Sequence, residues 1–386
     1  MRQKRKLCVI TGTRADYGLL HPLLTEIKKD TTLTLQLIVT GMHLSPEFGL
    51  TYKEIEKDFN IDKKIEILLS SDSGIGISKA MGLAQISFAE TFTDLKPDIV
   101  IVLGDRYEIF SAVASAMILK IPIAHISGGE LTQGAIDDSI RHAITKMSHI
   151  HFVATNEYKK RVNQLGEIPN NIYNFGESGL DNILNLSLLT KQEFEKSIHF
   201  KLDKHSLLIT YHPTTKESID KIKLDFEKII LHLDSLEYTT LIFTKANSDE
   251  GGRMINKLIV EYVNKNKNKA IVFNSLGQLR YLSALQFVDA VVGNTSSGIV
   301  EAPSFKIGAI NIGDRQKGRI QADNVINSTT NNLNDAFKIL YSKSFQNNLK
   351  NITNPYYKEG NASFKIKEIL KTINLQKIIN KPFFDL

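Results

Sequence analysis

An aspartate beside an arginine, directly after an apolar β-branched run, can both move a proton and hold an anion. That pairing occurs in Leu103-Gly-Asp-Arg106, which follows Ile99–Leu103. Asp105 is a candidate acid or base there, and Arg106 can fork onto a phosphate or carboxylate. The two side chains could also simply neutralise each other. A second stretch, His125-Ile-Ser-Gly-Gly-Glu130, runs on through Gly134 to Ile136-Asp-Asp-Ser-Ile-Arg-His142. It places the carboxylates Glu130, Asp137 and Asp138 within a short span, with Asp105 expected nearby. Crowded carboxylates raise one another's pKa, which suits general acid–base work. Asp137, Asp138 and Ser139 are equally good capping or first-turn residues, so capping competes with function, at Asp138 above all. The N-terminal Thr11-Gly-Thr-Arg-Ala-Asp-Tyr-Gly18 adds Arg14 and Asp16. Its Gly12 and Gly18 are read as permitting tight turns, and a helix starting nearby offers amide donors to an anion. An ordinary strand-to-helix turn with a surface arginine fits that stretch just as well.

The second half has its own clusters. His212 sits at the end of Ile209-Thr-Tyr-His-Pro-Thr214, where Pro213 argues for a loop. Gly293-Asn-Thr-Ser-Ser-Gly298 combines small residues with many donors, a composition suited to an anion-binding nest. Glu301, one turn on, would repel phosphate but suits a pair of ribose hydroxyls, as an acidic residue does in dinucleotide folds. A Gly/Ser loop with a capping glutamate is the rival. Asn311-Ile-Gly-Asp-Arg-Gln-Lys-Gly-Arg319 supplies Arg315, Lys317 and Arg319, as a solvated basic loop or as a lid over phosphates.

These clusters follow short apolar runs, and the runs must be the elements that position them. In the first half the runs are Lys6–Gly12, Thr34–Gly41, Asp98–Gly104, Ile121–Ile126, His149–Thr155 and Ile172–Gly176. In the second they are Leu207–Tyr211, Thr240–Thr244, Ala270–Phe273, Asp289–Gly293, Ile307–Ile312 and Val325–Asn327. Helix-length segments lie between most of them. Ser78–Leu95, for example, puts Met81, Ala84, Phe88 and Phe92 on one face. Strands alternating with helices predict α/β halves with parallel, doubly wound sheets. Open sheets of this kind bind ligands at the carboxyl ends of their strands, and two halves would leave a cleft facing both sets of ends. A polar, lysine-rich stretch near Leu184–Lys204 places the boundary. The expected division is residues 1–183, residues 184–362, and a terminal segment, 363–386. Within that segment Ser363–Ile379 has a helical period through Ile366, Ile369, Leu370 and Ile373.

The composition narrows the function classes. A chain of 386 residues suits two domains. Its 42% hydrophobic and 23% charged residues are those of a globular protein. The net charge of +6 permits an anionic ligand without demanding nucleic acid, and the lysines are scattered rather than gathered on one face. Cys8 alone can build neither a disulfide within the chain nor a cysteine zinc site. No run reaches the ~18 apolar residues of a membrane span, and the short apolar Leu7–Ile10 is no signal segment, so a soluble cytoplasmic protein is expected. There is no GxxxxGK[ST], no GxGxxG after the first strand, no HExxH and no GxSxG, and the histidines show no metal spacing.

Taken together, Gly12-Thr-Arg-Ala-Asp-Tyr17, Gly104-Asp-Arg106, His125-Ile-Ser-Gly-Gly-Glu130, Ile136-Asp-Asp-Ser-Ile-Arg-His-Ala-Ile-Thr-Lys146 and Gly293-Asn-Thr-Ser-Ser-Gly298 resemble the hydrolysing UDP-N-acetylglucosamine 2-epimerases. The resemblance runs from the first strand to the Arg315 loop. Non-hydrolysing relatives typically open with GTRPE and carry HVEAG, whereas this chain has GTRAD and HISGGE. The resemblance implies a glycosyltransferase-B type of fold: two Rossmann-like domains with a C-terminal helix crossing back to the first. It also implies a reaction without a redox cofactor or metal. UDP leaves C1 as a proton leaves C2, and water adds to the resulting 2-acetamidoglucal. N-acetylmannosamine and UDP are then released, for sialic acid synthesis.

Residue by residue, Asp105 and Asp137 match acid–base positions of that family. Arg14, Arg106, His212, Asn247, Ser275, Thr295, Ser296, Glu301 and Arg315 match positions that hold UDP, and Asp16 and His43 match positions near the sugar. One departure stands out. Family members of sialic acid synthesis commonly carry Glu two residues after the histidine of HISGGE, where this chain has Ser127. Glu130 is taken as the nearest remaining carboxylate and the third catalytic candidate. The same frame fits an enzyme that hydrolyses UDP-N,N'-diacetylbacillosamine for legionaminic acid. A glycosyltransferase of the same fold, or a nucleotide-sugar-binding module without chemistry, would share it too. The expected partners are a UDP-sugar and UDP, with the chain assembled as a homo-oligomer and without nucleic acid or membrane.

Overall fold

Neighbouring residues of the first strand, β1 (Arg5–Thr11), enter different cores. Leu7 and Val9 pack into one hydrophobic cluster and Cys8 and Ile10 into another, all four fully buried. A strand that buries both faces lies in the middle of a sheet covered on both sides, which is why its sequence runs apolar without alternation. The computed structural model describes residues 4–71, 73–133, 135–214 and 217–386, so Gly134 lies outside the described residues.

After β1 come β2 (Leu33–Thr40), β3 (Lys63–Ile65), β4 (Ile99–Leu103), β5 (Ile123–Ile126), β6 (Ile150–Val153) and β7 (Ile172–Asn174). They form one sheet in the order β3-β2-β1-β4-β5-β6-β7, every pair parallel. The second sheet holds β8 (His205–Thr210), β9 (Thr239–Thr244), β10 (Ala270–Phe273), β11 (Ala290–Gly293), β12 (Gly308–Ile312) and β13 (Val325–Ser328). Its order is β10-β9-β8-β11-β12-β13, again all parallel. Counted from its own first strand, each sheet runs 3-2-1-4-5-6, the doubly wound Rossmann order, with a seventh strand added to the first. The fold class read from the sequence is therefore the one found. The expected runs all contain strands, whereas β3 has no such run behind it. Its Lys-Lys-Ile carries only one buried residue, which leaves no apolar stretch to see.

The chain divides into two compact units. The first comprises residues 1–130, 137–185 and 356–386, and the second residues 131–136 and 186–355. The terminal segment belongs to the first unit for identifiable reasons. Ile366, Leu370 and Ile378 enter the cluster built on Leu7 and Val9. Asp181 accepts from the backbone of Ala362 (3.2 Å) and Ser363 (2.8 Å), capping the helix Ala362–Thr372 from another part of the chain. Lys367 and Lys371 both reach Asp30, at 3.3 and 2.8 Å. The helix expected over Ser363–Ile379 is broken. It ends at Thr372, and a separate turn, Leu375–Ile378, begins after Asn374, whose side chain accepts from Lys377 N. Beyond it, Lys381 enters a buried cluster and donates to both oxygens of Glu167 (2.9 and 2.8 Å), which also binds His151 and Lys146. Burial works to raise the Glu167 pKa, but these donors prevail and hold it down at about 2.

Candidate functional site

Because every strand pair is parallel, the residues directly after the strands gather along one edge of each sheet. In the first unit Gly12–Asp16 follow β1, Gly41–His43 follow β2, Asp105 and Arg106 follow β4, and Ser127–Glu130 follow β5. The order reverses between β1 and β4, the point where open sheets of this type form a crevice.

Three groups converge at the ends of β4 and β5, with Arg141 and Glu130 buried and Asp105 partly buried. Arg141, in the helix Asp137–Met147, donates through Nη2 to Asp105. Through Nη1 it donates to Glu130 Oε2 (3.2 Å) and to the Ser127 carbonyl (2.8 Å). The crowding of carboxylates expected from the sequence is thus answered by a guanidinium set between two of them. Asp137 opens the same helix and is buried, one turn before Arg141 and on the same buried face. Asp138 lies in the first turn, 3.9 Å from His142.

His125 holds the turn that carries Asp105. Its Nε2 lies 2.8 Å from the Gly104 carbonyl and so must carry the proton, leaving Nδ1 to accept from Thr145 Oγ1 at 3.1 Å. Burial pushes its pKa down to about 3, so the ring is neutral and acts as a brace. Gly104 has φ +76°, a backbone region that favours glycine.

Around β1 the structure revises two expectations. Gly18 lies inside the helix Arg14–Lys29 and makes no turn. Gly12 has no positive φ; it is small because Glu108 Oε1 occupies the space a side chain would need. Asp16 completes a capping box with Thr13, and its Oδ2 accepts from Gly12 N (2.9 Å) and Thr13 N (3.1 Å). Half of its carboxylate therefore serves the helix start, while Oδ1 is buried without a hydrogen bond among the described residues. Burial, reinforced by Glu108, raises its pKa to about 6. Arg106 donates to Glu108 Oε1 at 3.2 Å, and Glu108 Oε2 is likewise buried without a hydrogen bond among the described residues. His43 is fully buried, with Nε2 3.0 Å from Thr11 Oγ1 and Nδ1 2.7 Å from Thr51 Oγ1. Burial pushes its pKa down to about 3. Both nitrogens are engaged, so in this structure His43 ties the end of β1 to Thr51.

The second unit repeats the plan. His212 follows β8, Asn247 follows β9, Ser275 follows β10, Thr295 and Ser296 follow β11, and Arg315 follows β12. Asn294, at the reversal between β8 and β11, ties them together. Its side chain accepts from His212 N (2.7 Å) and donates to His212 O (2.8 Å), while its carbonyl accepts from Arg315 Nη1 (3.1 Å) and Gln316 Nε2 (2.8 Å). His212 Nδ1 accepts from Asn247 N at 3.4 Å. Gly293, at φ +135°, lets β11 lie so close to the Thr210 carbonyl that a Cβ would collide with it. Ser296 and Thr295 lead into a single turn, Ser297–Val300; Thr295 Oγ1 accepts from Ser297 N (3.4 Å). Glu301 ends that turn, and burial lifts its pKa to about 6. Ser275 Oγ accepts from Gly277 N at 3.0 Å.

Arg141, Glu108, Glu177 and Asn294 contact the candidate site residues, and the sequence does not single them out. Arg141 is detectable in principle, four residues after Asp137 in a helix. Glu177 has no local signal: it accepts from Ser127 Oγ, fifty positions away. No cluster of three or more His, Cys, Asp or Glu suited to a metal occurs among the described residues, and no helix there is long and apolar enough to cross a membrane.

Comparison with known proteins shows the family. A sequence family described as UDP-N-acetylglucosamine 2-epimerase matches residues 25–371. The GDP/UDP-N,N'-diacetylbacillosamine 2-epimerase (hydrolyzing) of Campylobacter jejuni is 50% identical over 383 residues, covering 99% of this chain and all of that protein. The UDP-N,N'-diacetylbacillosamine 2-epimerase (hydrolyzing) of Legionella pneumophila is 36% identical over 388 residues, 98% of each. Among solved structures, the UDP-GlcNAc 2-epimerase of Neisseria meningitidis bound to UDP-GlcNAc superposes with a TM-score of 0.79 at 21% identity, over 95% of this chain and 99% of that one, which bears on the fold alone. The chain belongs to the hydrolysing UDP-N-acetylglucosamine 2-epimerase family.

Proposed function

We propose that the protein converts UDP-N,N'-diacetylbacillosamine and water into UDP and the free sugar inverted at C2. The observation that carries the chemistry is the Arg141 bridge between Asp105 and Glu130 at the ends of neighbouring strands. Removing a weakly acidic C2 proton calls for a carboxylate fixed in place and shielded from water, and a buried guanidinium fixes two at once. Asp105, Glu130 and Asp137 are assigned the proton transfers of elimination and hydration. Arg14, Arg106 and Arg315 are assigned the negative charge that grows on the departing UDP, with His212, Asn247, Ser275, Thr295 and Ser296 as further donors and Glu301 as acceptor for the ribose hydroxyls. The choice of sugar rests on the Campylobacter and Legionella relatives and on Ser127. UDP-N-acetylglucosamine, with N-acetylmannosamine as product for sialic acid synthesis, is the second reading, favoured by the family description.

We also infer that the protein works in the cytoplasm as a homo-oligomer. Ile75, Leu83 and Ile86 are exposed along the helix Gly74–Leu95, and Gly82 beside them has open space in front of it. That surface suits cover by a second copy.

Proton NMR in D2O of the purified protein with UDP- or GDP-N,N'-diacetylbacillosamine and with UDP-N-acetylglucosamine tests the reading. Release of the free manno-configured sugar, deuterated at C2, is expected, fastest with the diacetylated substrate. No turnover of any of the three would end it.

A further inference from the structure

Ser127 directly follows β5 and has φ +63°, a conformation that residues other than glycine seldom adopt. Its backbone is tied at both ends: N donates to the Phe152 carbonyl (2.9 Å) and O accepts from Arg141 Nη1 (2.8 Å). The side-chain direction is therefore fixed by the same guanidinium that joins Asp105 and Glu130. Ser127 Oγ donates to Glu177 Oε2 at 3.0 Å, and both residues are buried. Glu177 is itself anchored. Its backbone N donates to the Tyr356 carbonyl (2.9 Å) and its Oε1 accepts from Gly179 N (3.4 Å).

A serine hydroxyl has one proton to give and two lone pairs to offer. Ser127 Oγ gives that proton to Glu177 Oε2. Ser127 Oγ accepts no hydrogen bond among the described residues, so the site edge carries an acceptor that cannot turn round and donate. Such an acceptor suits a ligand group that can only donate. A sugar hydroxyl gains nothing from the arrangement, since it adapts to either partner. An amide N–H gains fully.

We propose that Ser127 Oγ accepts the N–H of an acetamido group on the sugar, and that Glu177 is the positioning residue that keeps it an acceptor. The pair then selects acetamido over hydroxyl where N,N'-diacetylbacillosamine and N-acetylglucosamine differ. This rests on the hydrolysing 2-epimerase reading above. It also gives Ser127, a departure from the family's carboxylate, a role in choosing the substrate.

The test compares kcat/KM for UDP-N,N'-diacetylbacillosamine and UDP-N-acetylglucosamine in the wild type, Ser127→Gly, Glu177→Gln and the double variant. Glycine relieves the left-handed backbone, and glutamine keeps the size of Glu177 while its amide can donate, releasing the serine proton. The expected result is a fall of about tenfold in the ratio of the two kcat/KM values, carried mainly by KM of the diacetylated substrate. It should be similar in both single variants and no larger in the double one. A merely structural role would lower both substrates alike and leave the ratio in place, and that outcome overturns the inference. Absence of turnover in the wild type would overturn the function itself and this inference with it, so the two failures are told apart before any variant is measured.

Discussion

Arg141 Nη2 donates to the Asp105 carboxylate inside the first unit, and both side chains come from elements that meet only in the folded chain, the end of β4 and the helix Asp137–Met147. The same guanidinium reaches Glu130 at 3.2 Å, so one residue fixes the relative position of two proposed catalytic carboxylates. Arg141→Lys keeps the charge but replaces a planar fork by a single ammonium, which cannot serve both carboxylates in the same geometry. We expect kcat to fall about 100-fold, in line with loss of a catalytic alignment, with UDP affinity within about twofold of wild type. A variant that retains wild-type kcat would show that the bridge is structural only.

Asp105→Asn should abolish release of the free sugar while UDP still binds. Asparagine can accept the Arg141 hydrogen bond through its oxygen, so the fold is kept and only proton transfer is lost. Calorimetric titration with UDP and the NMR assay on the same sample check both halves. Turnover at the wild-type rate would remove Asp105 from the mechanism.

In the second unit, Arg315→Ala and Asn294→Ala should both weaken UDP binding, for different reasons. Arg315 is proposed to meet phosphate directly, and its loss should cost about 1.5–3 kcal/mol, the worth of a charge-assisted hydrogen bond. Asn294 brackets the His212 backbone through N (2.7 Å) and O (2.8 Å), so alanine strands two buried backbone groups. That variant should also lose about 2–3 kcal/mol of stability in urea denaturation, whereas Arg315→Ala should lose little. Equal stability of both variants would contradict the hub role of Asn294.

These assignments show what the sequence could and could not reveal. The strands were legible because Ile99–Leu103 or Ala290–Gly293 bury both faces and so read as unbroken apolar runs. The site edge was legible for the same reason: in a parallel sheet, polar residues after such runs gather on one side. Contacts between distant positions were not. Nothing near Gly176-Glu-Ser178 announces that Glu177 meets Ser127. Nothing in Gly12-Thr-Arg shows that Glu108 fills the space before Gly12. His43 matched a family position, yet only the structure shows both its nitrogens spent on threonines. The capping role of Asp16, beside its candidate role in the site, also needed the fold, because the Thr-x-x-Asp spacing of a capping box caps only where a helix starts there.

Asp16 gives the last prediction, a dependence of stability on pH. Burial and the nearby Glu108 raise its pKa to about 6, while an unfolded aspartate titrates near ~4. Between those values the native state holds a proton that the unfolded chain has lost, so stability falls as pH rises through about 4 to 6. The loss amounts to at most about 3 kcal/mol by pH 7. Asp16→Asn cannot ionise, and its oxygen can still accept from Gly12 N and Thr13 N, so the helix start survives. Relative to wild type, the variant should gain about 2 kcal/mol in stability on going from about pH 4.5 to about pH 7.5, even if turnover drops. Urea denaturation of both proteins at the two pH values reads this directly. A difference that stays constant with pH would mean that Asp16 is already ionised throughout that range and that the groups around Gly12 compensate its burial in full.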